Sequence, residues 1–139
     1  MSACDPDSRT NDVEERRVVA IVDDEKAVCR AIGRLVMSAG FEPQIFSSAE
    51  EFLRSCHEHR PDCLILDLRL PGMSGLELQQ QLATSPCRTP IVFVSAHDDP
   101  QSREQALRGG AVAFLSKPFN DTVLLETIHS AICRDHRGE

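Results

Sequence analysis

Apolar runs of strand length alternate along the chain with segments of helical period. Val18 to Val22 is a continuous β-branched run, the pattern of a strand covered on both faces. Val28, Ile32, Leu35, Val36 and Ala39 then recur at helical spacing, and Gly40 supplies the stop. Gln44 to Phe46 reads as a short second strand. Ser47 with Glu50 has the spacing of a capping box, which opens a helix with the stripe Ala49, Phe52, Leu53 and Cys56. Cys63 to Leu66 is a third strand, followed by turn signals at Pro71-Gly72 and Ser74-Gly75. Leu76 to Leu82 predicts a third helix, closed by Ser85-Pro86, and Ile91 to Val94 a fourth buried strand. A weaker helix near Arg103 to Leu107 ends at Gly109-Gly110. Ala111 to Leu115 is the fifth strand, and Asn120 or Asp121 caps a last helix striped by Leu124, Leu125, Ile128, Ala131 and Ile132.

Five strand–helix units without repeats call for a parallel sheet covered by helices on both faces. In such α/β folds ligands sit beyond the carboxyl ends of the strands, so those residues are the ones to read for chemistry. The first strand ends in Asp23-Asp24, with Glu25 next; the third ends in Asp67, the fourth in Ser95 and the fifth in Ser116-Lys117-Pro118. Two adjacent carboxylates facing a third form a concentrated negative site that is costly unless a cation fills it. Oxygen ligands from few carboxylates suit magnesium, which completes its shell with water and phosphate. Lysine is a compact charge for a phosphoryl oxygen, and a serine hydroxyl can donate to another. Together they describe a magnesium-dependent phosphoryl-transfer site with a carboxylate nucleophile. Singly each has a plain alternative: Asp23-Asp24-Glu25 as a helix cap, Asp67 as a loop acid, Ser95 as another cap, Lys117-Pro118 as a turn.

Composition narrows the classes. Fifteen Lys plus Arg against 22 Asp plus Glu give a formal charge of -7, and the excess of acid extends over both halves, which disfavours a nucleic-acid backbone as partner. Hydrophobic content of 41% with 27% charged residues is that of a folded domain. No apolar run approaches the ~18 residues of a membrane helix, and the start has no apolar secretory core, so a cytoplasmic setting without membrane contact is expected. That setting argues against disulfides, and most of the six cysteines read as small apolar fillers. Cys56, His57, His59 and Cys63 are a remote zinc candidate whose spacing fits no common pattern.

The segments Val22 to Glu25, Leu66 to Gly75, Val94 to Ala96 and Phe114 to Phe119 resemble the motifs of response-regulator receiver domains, in order and over nearly the whole chain. The wording around Asp67 and from Ser95 to Asp99 is most similar to receivers of the FixJ group of transcriptional regulators. The resemblance implies a doubly wound, CheY-like sheet of five parallel strands in the order 2-1-3-4-5 with five helices. Residues 1–16 would be a flexible polar arm, 17–134 the receiver and 135–139 a tail. Asp67 would accept a phosphoryl group from a sensor histidine kinase or histidine phosphotransfer protein. Asp23, Asp24, Asp67 and the backbone carbonyl of Arg69 would hold Mg2+, or Mn2+ in its place. Lys117 and Ser95 would contact the phosphoryl group, Phe114 would turn inward behind Ser95, and the Lys117–Pro118 bond would be cis. Arg69 and His97 occupy the two flanking positions that tune phosphoryl lifetime in the family.

The expected output is a protein contact with an unidentified partner, or a phosphorylation-dependent homodimer through the face around Phe114, with Leu107, Val112 and Val123 contributing. The domain would transfer phosphoryl to and from its own aspartate without turning over a separate substrate, and so is not read as an enzyme. Receivers of the FixJ group continue into a helix-turn-helix domain, whereas this sequence stops at Glu139 without a recognition helix. The sequence reading favours a stand-alone receiver over a fragment of a DNA-binding regulator. A haloacid-dehalogenase-type hydrolase would need a second Asp where Arg69 stands, and a flavodoxin would need Trp or Tyr and a phosphate loop after the first strand.

Overall fold

The computed structural model describes residues 16–56, 58, 60–97 and 99–137, the last four by their backbone. Ten elements alternate: β1 Val18–Val22, α1 Lys26–Ser38, β2 Glu42–Phe46, α2 Ala49–Cys56, β3 Cys63–Leu66, α3 Gly75–Ala83, β4 Ile91–Ser95, α4 Pro100–Arg108, β5 Ala113–Ser116 and α5 Asp121–Arg137. The strands form one parallel sheet in the order β2-β1-β3-β4-β5. This is the doubly wound architecture expected from the alternation.

Side chains alternate across the sheet with period two. Ala20, Val22, Leu64, Leu66 and Phe93 face α2, α3 and the single buried residue of α4, Ala106. Val19, Ile21, Cys63, Ile65, Val92 and Val94 face α1 and α5. Because β1, β3 and β4 are covered on both sides, their runs are apolar without interruption.

Beyond shifts of one residue at the ends of α3 and β4, four differences from the sequence expectation have a local cause. β2 begins at Glu42, and its Pro43 is accommodated because β2 is an edge strand. β5 begins at Ala113; the N–H of Ala111 still belongs to the end of α4, donating to Ala106 O at 3.1 Å. α4 starts at Pro100 behind an Asp99 cap whose carboxylate accepts from the N–H groups of Gln101 and Ser102. The cap of α2 is shifted by one residue: Ser48 Oγ accepts from Glu51 N at 3.0 Å, while Glu51 reaches back to the N–H and hydroxyl of Ser47. α5 is capped by Asn120, whose side chain accepts from Val123 N, and it runs to Arg137. The expected arm lies outside the described residues, apart from Arg16.

Candidate functional site

Pairing sets the depth of each strand end. Val22 lies opposite Leu66 and Leu66 opposite Phe93, while Ser95 lies opposite Ser116, so the residues that follow gather at one sheet edge. Asp67 N donates to Val22 O at 3.0 Å, and Lys117 N donates to Ser95 O at 2.9 Å, which continues the ladders one residue past the strands. Asp23 Oδ1 accepts from Glu25 N at 2.9 Å, a local turn that starts α1 and fixes the carboxylate over the edge. Asp23, Asp67 and Ser95 are buried, and Asp24 is exposed at the mouth.

Lys117 Nζ reaches across this edge, 3.0 Å from Asp23 Oδ2, 3.5 Å from Glu25 Oε1 and 3.8 Å from Asp67 Oδ2. The Lys117–Pro118 peptide bond is cis. Burial opposes the lysine's charge, but the hydrogen bond to Asp23 and the three carboxylates outweigh it and raise its pKa. Asp67 is pushed from the usual 3.8 to about 6, first by burial and then by Asp23. Lys117 and the N–H groups of Arg69 and Leu68 pull the other way. The Cys29 thiol donates to Asp23 O at 3.2 Å and is held near 11 by burial and the Asp23 charge, so it is a neutral support.

The donor set fits a hard divalent cation. Asp23, Asp24 and Asp67 each offer an oxygen, and these atoms all lie within 4.8 Å of one another. Asp67's pKa is raised first by burial and then by the neighbouring Asp23 carboxylate, and a cation held between the acids would offset both. Lys117 alone leaves the cluster net negative.

Around this centre the other sequence candidates take different places. Ser95 Oγ accepts from His97 N at 3.0 Å, and the His97 side chain is exposed at the rim. Phe114 is buried, stacks on Phe93 at 5.9 Å between centroids, and carries the Arg103 guanidinium 5.0 Å above its ring. Arg69 is exposed; its charge helps hold the Asp99 carboxyl low, behind the larger effect of hydrogen bonds from Ser102. Among the exposed large apolar side chains are Leu107 and Val123, whereas Val112 packs against the α1–α5 core.

Some residues around the site were not read from the sequence as belonging to it, although Ser74 and Glu77 have the capping-box spacing. Gly75 opens α3 so close to β3 that a Cβ there would lie 2.3 Å from Asp67 O. Ser74 and Glu77 form the reciprocal capping box that starts α3 beside Asp67, where only a turn was read from the sequence. Glu50, freed from the capping role, accepts from Met73 N at 2.9 Å. Gln79, a buried side chain of α3, donates to Ala106 O of α4 at 2.8 Å.

The zinc candidate is not assembled: Cys56 packs in the core on one face of the sheet and Cys63 in the core on the other. His57 and His59 lie outside the described residues. Cys29, Cys56, Cys63 and Cys87 are buried and lie outside any disulfide, while Cys133 is disulfide-bonded, against the expectation of thiols. None of the helices among the described residues is long and apolar enough to cross a membrane.

The profile of the response regulator receiver domain matches residues 19–129. Nodulation protein W of Bradyrhizobium diazoefficiens is 41% identical over 122 residues, which cover 88% of this chain and 54% of that protein. Transcriptional regulatory protein FixJ of Rhizobium meliloti is 38% identical over 113 residues, covering 81% and 55%. A response regulator receiver protein from Burkholderia phymatum, solved by crystallography, superposes with a TM-score of 0.74 at 41% identity, covering 84% of this chain and 95% of that one. The chain thus spans about half the length of the curated relatives it matches.

Proposed function

The chain belongs to the response-regulator receiver domain family of two-component signal transduction, and on that premise we propose that Asp67 is its phosphoryl acceptor. The observation that carries the reading is the convergence of Asp23, Asp24 and Asp67 beneath Lys117 Nζ, from three strand ends far apart in sequence. An Asp67 carboxylate oxygen attacks the phosphorus of a phosphohistidine on a sensor kinase or histidine phosphotransfer protein. The P–N bond breaks, its electron pair returns to the imidazole, which takes up a proton, and an acyl phosphate forms on Asp67.

Asp23, Asp24, Asp67 and the Arg69 carbonyl would hold magnesium, or manganese in its place, which supplies charge neutralisation to phosphoryl oxygens. Lys117 is charged and aimed at Asp67 Oδ2, ready to move from carboxylate to phosphoryl oxygen. The Ser95 hydroxyl, at the adjacent strand end, gives the hydrogen bond to another oxygen and draws Phe114 and α4 with it. Arg69 and His97 stand at the rim, where water approaches the acyl phosphate, and tune its lifetime. Hydrolysis at Asp67 resets the switch, with no separate substrate turned over.

Leu107 and Val123 support an output face on α4 and α5 that takes a protein partner or a second phosphorylated copy. Residues 17–134 act as the receiver unit, with 1–16 and 135–139 flanking it. The test is native mass spectrometry with magnesium before and after acetyl phosphate. One phosphoryl adduct is expected, absent in Asp67→Ala; an adduct retained in that variant would overturn the assignment. A dimer appearing with the adduct supports the homodimer, and a phosphorylated monomer speaks for a partner of different sequence.

A further inference from the structure

Two acids in the first turn of α2 have different jobs. Glu51 Oε1 accepts from Ser47 N at 2.9 Å and Ser47 Oγ at 3.1 Å, so it serves its own helix. Glu50 reaches out of the helix to the loop that joins β3 to α3, accepting from Met73 N at 2.9 Å across 23 residues of sequence. This loop starts at Asp67. Its ends are fixed: Asp67 N is tied to Val22 O, Gly75 N donates to Leu68 O at 2.9 Å, and Gly75 abuts Asp67 O. Its middle has the left-handed turn at Gly72, φ 75°, where a Cβ would lie 2.6 Å from Glu50 Oε2. The missing side chain of Gly72 therefore gives Glu50 both the turn and the clearance it needs. Glu50's pKa is lowered, chiefly by the Met73 hydrogen bond, which keeps the carboxylate ionised and a strong acceptor at neutral pH.

We infer that Glu50 is a positioning residue for the acceptor site: by holding Met73 N it sets the path of the loop that presents the Arg69 carbonyl and the Leu68 and Arg69 N–H groups around Asp67. This rests on the receiver reading above. Partners that orient ligands of a metal site from behind commonly matter about tenfold or more in metal affinity when removed. Glu50 acts at one further remove, through the backbone, and the effect belongs at the lower end of that range.

The experiment is a magnesium titration by isothermal calorimetry of the full chain and its Glu50→Ala, Glu50→Gln and Glu51→Ala variants, with amide hydrogen exchange read at Met73. Glu50→Ala is expected to weaken magnesium binding about tenfold and to speed exchange at Met73. Glu50→Gln, whose amide oxygen still accepts, restores most of the affinity. Glu51→Ala loosens the α2 cap and leaves the affinity where it was. Unchanged affinity in Glu50→Ala overturns the inference even if Met73 exchanges faster, and so does an equal loss in Glu51→Ala, which would mark a general loosening of α2. If the unmodified chain neither binds magnesium nor forms the Asp67 adduct, the receiver reading itself fails and the inference falls with it.

Discussion

α3 and α4 are both nine residues long, both follow a strand that ends at the site, and both open on a side-chain cap. They are held in opposite ways. α3 buries Gly75, Leu78, Gln79 and Leu82 and begins in contact with the Asp67 carbonyl. α4 buries only Ala106, and its other attachments are polar: the Gln79 hydrogen bond to Ala106 O and Arg103 over the Phe114 ring. An element held by burial has one position, because shifting it opens voids in a packed core. An element held by a hydrogen bond and a cation–ring contact can exchange those partners at small cost. The helix beside Asp67 is thus anchored by burial, and the helix beside Ser95 and Phe114 by polar contacts that can be exchanged.

The contrast can be broken most directly by truncation. Leu78→Ala should cost about 3 kcal/mol in urea unfolding, as for other fully buried leucines, while Leu107→Ala on α4 should stay within about 0.5 kcal/mol. Comparable losses would erase the distinction. Asp67, on the α3 side, gives the next largest effect. Its pKa is raised from 3.8 to about 6 on folding, so its favourable contribution is full below the unfolded value and is lost as pH rises through that interval. Without divalent cations, Asp67→Asn should therefore be more stable than the unmodified chain at pH 7, by about 2 kcal/mol, and show no such gain near pH 3.5. Thermal melts across that range read the difference. The smallest effect sharpens the comparison: Gln79→Leu should cost about 1 kcal/mol, seen as faster hydrogen exchange in α4 with α3 unchanged. Equal acceleration in both helices would show that the tie supports the whole layer.

What the sequence made legible follows the same division. The fully buried strands announce themselves because β1, β3 and β4 need apolar residues on both faces, and the alternation with helices then dictates a parallel sheet. The acids and Lys117 were readable as strand-end residues once that sheet was assumed. The start of α4 was hidden because a helix with one buried residue has almost no periodicity to find, although Asp99-Pro100 carried the cap signal. The choice between Ser47 and Ser48 as the cap of α2 is not local: Glu50 is engaged by Met73, 23 residues away, and Glu51 takes the capping place. Gln79 reads as one more polar residue on an amphipathic helix until α4 is laid across it. Cys56 and Cys63 looked like neighbours along the chain, yet Cys56 ends α2 on one face of the sheet and the pleat of β3 turns Cys63 to the other.

Lys117 and Asp23, whose side chains meet at 3.0 Å, are 94 residues apart in the chain. A chain leaving the ribosome displays the carboxylates of the first and third strands well before the ammonium that answers them has been synthesised. β5 is the last strand to be made, so the lysine that follows it is the last of these charges to be supplied. The compensated charge cluster is in that sense a completion mark, present once β5 has been made and absent from any N-terminal fragment that stops short of it.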